Sequence, residues 1–165
     1  ILEQFFDFPR KAFLIRELSR MTKLAQTAVR LHLKALRDEG LIAIEKSGLY
    51  PSFMAVKEDN MFKLLKAQNL VLRLQQSGVV EAIEKVCYPS CIVLFGSASR
   101  GEDNDGSDID LFVQAKHKAI DLSKSEKELK RKIHIISEPR IKALSPELLN
   151  NIINGKVLSG YLKVI

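Results

Sequence analysis

Residues 91–113, CIVLFGSASRGEDNDGSDIDLFV, hold two apolar runs separated by a polar segment with five acidic side chains between Glu102 and Asp110. Both runs are short and rich in Ile, Val, Leu and Phe, which predicts strands. Gly96 follows the first run directly, where a glycine lets the backbone turn sharply. In the second, SDIDLFV, alternation puts Ile109, Leu111 and Val113 on a buried face. Asp108 and Asp110 then share the other face, about 6–7 Å apart at the rise of a strand. Carboxylates that close repel each other unless solvent or a positive partner offsets them. An acidic surface loop would satisfy that demand with water alone. The combination of strand, Gly-Ser, ten residues and Asp-Ile-Asp-Leu in a strand asks for more. Successive N–H groups at Gly96-Ser97 make a cradle for phosphate oxygens, and Ser97 adds a hydroxyl donor. Two carboxylates beside such a cradle suit a hard divalent cation, Mg²⁺ or Mn²⁺, that also grips a nucleoside triphosphate.

The segments around this stretch supply the rest of a domain over 77–165. SGVVEAIEKVCY carries Val79, Ile83 and Val86 at helical spacing. A charged helix is expected over 120–131, then a third strand at KIHIIS. Ser145-Pro146 is a helix start, with an N-cap and a proline at the first helical position, for a last helix ending near Gly155. The order of elements gives an α/β domain with a small mixed sheet.

LFGSASRGEDNDGSDIDLFV, with Arg100-Gly101 and Ser107 before the first Asp, resembles the nucleotidyltransferase superfamily that includes DNA polymerase β and kanamycin nucleotidyltransferase. It is most similar to the minimal nucleotidyltransferases of prokaryotes, and NNIINGKVLSGY resembles their closing helix and strand. The resemblance implies that Asp108 and Asp110 are catalytic metal ligands. It implies that Gly96, Ser97, Arg100 and Ser107 bind the nucleotide, with ATP the expected one. The reaction implied is attack of an acceptor hydroxyl on the α-phosphate, releasing pyrophosphate, with two Mg²⁺ ions at the reacting oxygens. Family members carry a third carboxylate on the next strand; here Lys132-Ile-His134-Ile-Ile has His134 at that place. Glu138 has the same parity but lies about 13 Å further along a strand. A neutral His134 can accept the acceptor's proton. Equally, it can mark a domain that binds nucleotide without transferring it, or a strand residue with no role.

The positive charge lies elsewhere. Residues 1–76 hold 13 Lys and Arg against 8 Asp and Glu, whereas 77–165 hold 13 against 12. A basic half suggests an anionic partner, commonly nucleic acid. Short helices are expected at Leu2 to Phe6 and Ile15 to Met21. A longer one runs through TAVRLHLKALRDEG, with Val29, Leu33 and Leu36 as its buried stripe and Gly40 as its stop. Two short strands follow around a Ser47-Gly48 turn, and a connector helix over 58–76. Three helices and a hairpin are the parts of a winged helix-turn-helix, placed at 1–57. Thr27, Arg30, Lys34 and Arg37 line the helix face opposite the stripe, where they can meet a major groove. Lys23 at the preceding turn and Lys46 beside the wing tip suit backbone phosphates. ILEQFFDFPRKAFLIRELSR and LKALRDEGLI resemble the winged-helix domains of archaeal and bacterial transcription regulators, which implies double-stranded DNA as partner. Regulators of that kind usually dimerise, which makes the 60–75 helix a candidate homodimer interface.

The whole chain therefore reads as α+β, a DNA-binding module fused to a nucleotidyltransferase-like module. The resemblance offers two roles. One is an antitoxin that adds AMP to a HEPN-type toxin; the other is a transcription regulator whose second domain only senses nucleotide. No apolar run approaches the ~20 residues of a membrane helix, and ILEQFF does not open like a signal peptide. The start at Ile leads us to expect further residues upstream. Cys87 and Cys91 lack zinc-site companions, so Cys91 is expected to be a buried apolar residue and the compartment a reducing cytoplasm.

Overall fold

The computed structural model describes residues 1–46 and 48–163. Contacts divide the chain into two compact units, Ile1–Lys66 and Ala67–Ile165.

The first unit runs α1 (Leu2–Asp7), α2 (Ile15–Thr22), α3 (Gln26–Asp38), β1 (Ile42–Glu45) and β2 (Ser52–Ala55). The periodicity of α3 does what helical spacing demands. Val29 and Leu33 are buried, with Leu36 packed beside them, while Thr27, Arg30, Lys34 and Arg37 are exposed. The helix stops where a glycine was expected. Gly40 takes φ +76°, its N–H donates to Arg37 O, and Leu41 N–H donates back to Leu36 O. That pair of bonds is a Schellman closure, which satisfies carbonyls the helix end leaves open. β1 and β2 pair antiparallel with Glu45 opposite Ser52, so the wing connection covers 46–51, longer than the two-residue turn expected. Ser47 of that turn lies outside the described residues. Phe13 bridges Phe53 and adds a third strand-like contact to the wing. The core is aromatic: Phe5, Phe13 and Phe62 are fully buried, and Phe5 meets Phe13 edge to face at 5.2 Å between centroids.

α4 (Asn60–Gln76) is longer than a connector needs to be. Asp59 caps it, its carboxylate accepting Phe62 N–H at 2.9 Å. The boundary between the units falls inside it, after Lys66.

The second unit adds α5 (Val79–Cys87), β3 (Cys91–Phe95), α6 (Gly96–Arg100), β4 (Ile109–Val113), α7 (Ser123–Leu129), β5 (Ile133–Ser137), α8 (Pro146–Ile153) and β6 (Lys156–Gly160). The sheet order is β5-β4-β3-β6, with β4 and β5 parallel and the other pairs antiparallel, a mixed sheet as expected. Side chains alternate between two cores. Ile92, Leu94, Ile109, Leu111 and Val113 pack with Val79 and Ile83 of α5, whereas Val93, Phe95 and Phe112 pack with Ile152 of α8. The charged helix is shorter than 120–131. Asp121 accepts Ser123 N–H at its start and Lys130 turns left-handed, φ +56°, at its end. Ser145 caps α8 as the sequence predicts, accepting Leu148 N–H at 3.3 Å.

Candidate active site and candidate DNA-binding helix

Strand pairing builds the acidic site. β3 ends at Phe95, directly opposite Asp110 on β4, and Asp110 lies directly opposite His134 on β5. Asp110 shares parity with Phe112, so its carboxylate emerges on the α8 side of the sheet, beyond the apolar core. His134 Nδ1 lies 3.2 Å from Asp110 Oδ1. The other carboxylate oxygen faces Gly96: a Cβ built there would meet Asp110 Oδ2 at 2.9 Å, and Gly96 holds φ +73°. Only a residue without a side chain combines that backbone with that approach. Where a bare Gly-Ser turn was expected, Gly96 instead opens the short helix α6.

Asp108 occupies a different setting. β4 begins at Ile109, so Asp108 stands exposed at the strand's entrance and not within the strand. Its backbone carbonyl is fixed: Arg131 donates to it at 3.1 Å and to Ser107 O at 2.7 Å. Arg131 also pairs with Asp103 at 2.8 Å, both side chains largely buried. Ser107 faces back into the loop, its hydroxyl accepting Asn104 N–H. Arg100 is exposed and pairs with Glu102 at 2.7 Å. Ser97 is half-buried, and its carbonyl accepts Glu102 N–H.

The repulsion within the acidic segment is thus partly offset by the chain itself. Glu102 has Arg100 and Asp103 has Arg131, while Asp110 shares a hydrogen bond with His134 and Asp105 and Asp108 remain exposed to solvent. The sequence pattern offered solvent or Mg²⁺ for that work and not Arg131, which lies far along the chain and whose role needs the β4–β5 pairing. Beside Asp108, Lys132 is held above the usual lysine range by its hydrogen bond to Glu126, by the charge of Glu126 and, least, by Asp108. Glu126 is correspondingly lowered by Lys132 and by Ile133 N–H. Among the described residues no three His, Cys, Asp or Glu side chains converge as a metal cluster. The donors present are hard carboxylate oxygens beside a glycine cradle. That set fits Mg²⁺, which commonly takes one or two carboxylates and completes its shell with water and phosphate.

Residues 79–161, just over half of the chain, match the family model described as polymerase beta, nucleotidyltransferase. The chain belongs to the polymerase β nucleotidyltransferase family. In this nucleotidyltransferase domain the family match spans Gly96, Asp108, Asp110 and His134 alike. Residues 14–43 match a second model, bacterial regulatory protein, arsR family, so the first unit carries a helix-turn-helix of the DNA-binding type. Neither curated proteins nor solved structures gave a match.

Within that helix-turn-helix, α3 displays Thr27, Arg30, Lys34 and Arg37 to solvent, Arg37 pairing with Asp38 at 3.3 Å. Lys23 ends α2 in a left-handed conformation, φ +57°, and Lys46 is exposed just after β1. Sequence reasoning missed two neighbours. Arg16 and Gln26 line, with Arg30 and Tyr50, a concavity of about 370 Å³ beside the N-terminus of α3. Gln26 sits in the first turn of α3, so the spacing that begins at Thr27 skips it. Among the described residues no helix is long and apolar enough to cross a membrane. Cys87 and Cys91 are buried free thiols, and burial pushes that of Cys91 up.

Proposed function

We propose that the protein is a DNA-binding regulator whose nucleotidyltransferase domain binds a divalent-metal nucleoside triphosphate, ATP by preference, and transfers its nucleotidyl group to a hydroxyl of a partner. The observation that carries this reading is the placement of Asp110, with one carboxylate oxygen above Gly96 and the other at His134. The cation, when bound to Asp108 and Asp110, supplies positive charge against the triphosphate. Gly96 and Ser97 hold phosphate oxygens, and Arg100 can leave its exposed pairing with Glu102 to add a third contact.

In the transfer, the acceptor oxygen bonds to the α-phosphorus, the bond from that phosphorus to the β-bridging oxygen breaks, and pyrophosphate departs. The acceptor's proton needs a base. With His134 Nδ1–H donated to Asp110, the Nε2 lone pair is free, and a side chain 60% exposed can reach an incoming hydroxyl. A partner of the HEPN type, nucleotidylated by an antitoxin, is the acceptor that the family resemblance favours. The DNA-facing residues Lys23, Thr27, Arg30, Lys34, Arg37 and Lys46 suit repression of the protein's own operon.

One observation favours a second reading. A histidine stands opposite Asp110 where the family places a third carboxylate, so the domain can hold nucleotide as a sensor without transfer. Incubation with α-labelled ATP, Mg²⁺ and partner protein separates the two. Label on the partner, lost in Asp108→Ala and Asp110→Ala, supports transfer. Nucleotide binding with no label on any partner supports the sensor. On the other unit, Arg30→Ala and Lys34→Ala should each weaken duplex binding and flatten its salt dependence by roughly one unit of slope. Unchanged affinity in both would remove α3 from the groove.

A further inference from the structure

The end of the sheet remote from Asp110 carries a second set of features. Gln114 follows β4, four residues beyond Asp110, about 13 Å at the rise of a strand. Here a cleft of about 500 Å³ is lined by Tyr88, Ser90, Gln114, Arg140, Lys142 and Lys163, among others. No carboxylate lines it among the described residues. The nearest acid in sequence, Glu138, is turned onto Arg140 N–H at 2.9 Å. The three cations are exposed.

Aromatic rings interleave with this charge. Tyr88 is 80% exposed and Tyr161 68%, the largest exposures of any described tyrosines. Lys118 Nζ sits 5.3 Å from the centre of the Tyr88 ring, and Lys163 Nζ 5.5 Å from that of Tyr161. Tyr161 N–H donates to Ser90 O, which ties its backbone to the cleft wall. Tyr88 ends α5 as its left-handed C-cap, φ +49°, its N–H donating to Glu84 O, and that turn sets the ring out in solvent. Gln114, 95% buried, has no place in the nucleotide site. Its amide nitrogen donates to Lys163 O at 2.9 Å, and its amide oxygen accepts Lys163 N–H at 3.0 Å and the Ser90 hydroxyl at 3.1 Å. A buried amide is thereby used to fix the chain at a surface lysine.

We propose that this cleft is a binding site for single-stranded nucleic acid, with bases stacked on Tyr88 and Tyr161 and phosphates held by Arg140, Lys142 and Lys163. Exposed aromatic faces among cations are the combination that such strands require. A duplex would offer its phosphates without bare base faces. The site is independent of the nucleotide reading above and of the duplex-facing α3.

The test is fluorescence anisotropy of the full chain with an eight-residue oligouridine. Tyr88→Ala should weaken binding roughly 5- to 150-fold, the range for losing one stacked base, while Tyr88→Phe keeps it. Arg140→Ala with Lys142→Ala should lower the salt slope by about 1.4, two single-strand phosphate contacts. Arg30→Ala with Lys34→Ala should leave oligouridine affinity unchanged. Affinity indifferent to Tyr88→Ala, equal competition by duplex of the same length, or preference for a polyglutamate peptide would each overturn the assignment.

Discussion

Replacing Gly96 by alanine isolates the contact on which the acidic site is built. Two costs are expected. The left-handed backbone, φ +73°, charges an L-residue about 1–2 kcal/mol. The new methyl would then lie 2.9 Å from Asp110 Oδ2, closer than carbon and oxygen tolerate, so the carboxylate must swing away. Swinging away breaks the contact with His134, which at this exposure is worth about 0.5–1 kcal/mol. Gly78→Ala provides the control, because Gly78 has φ +75° and nothing within 4 Å of its added carbon. Hydrogen exchange of amides in 91–113 under increasing urea reads the second unit alone. Gly96→Ala should lower protection by about 1.5–3 kcal/mol and Gly78→Ala by about 1–2 kcal/mol. In an Asp110→Ala background the surplus of Gly96→Ala over Gly78→Ala should vanish, since the clash has lost its partner. A surplus that survives Asp110→Ala would refute the contact, and equal costs from the outset would do the same.

Two further outcomes follow from the loop and from α7. Arg131→Ala leaves Asp103, 3% exposed, as a buried carboxylate that has lost its ion pair, and should cost the second unit about 3 kcal/mol by urea unfolding, with Asp103→Ala added to it costing little more. Glu126 is held below the usual glutamate range, so its contribution is present above the ordinary glutamate pKa and is lost as pH falls through the lowered folded value. Thermal melts should show wild type losing stability across that acid window more steeply than Glu126→Gln, and parallel pH profiles would contradict the assignment.

Local chemistry was the legible part of the fold. The spacing of Val29, Leu33 and Leu36, the stop at Gly40 and the Ser145-Pro146 start each depend on neighbours within a turn or two. Features that need distant partners were not visible. Arg131 is 28 positions beyond Asp103, and nothing short of the parallel β4–β5 register brings them together. The shortening of α7 came from a left-handed Lys130, a conformation that no lysine in a charged run announces. The connector helix expected over 58–76 contains the boundary between the units, which falls after Lys66 within α4. At the candidate site, the glycine bend and the parity of Asp110 were written in the pattern. The entrance position of Asp108, outside the strand, was not, because alternation alone cannot say where a ladder starts.

Electron paramagnetic resonance of Mn²⁺ tests the metal–nucleotide account most directly. Titrating the full chain into Mn²⁺ and ATP should remove signal beyond that removed by ATP alone in wild type, and little or none beyond it in Asp108→Ala and Asp110→Ala. Identical Mn²⁺ depletion in all three proteins, or none in any, would contradict the assignment of these two aspartates.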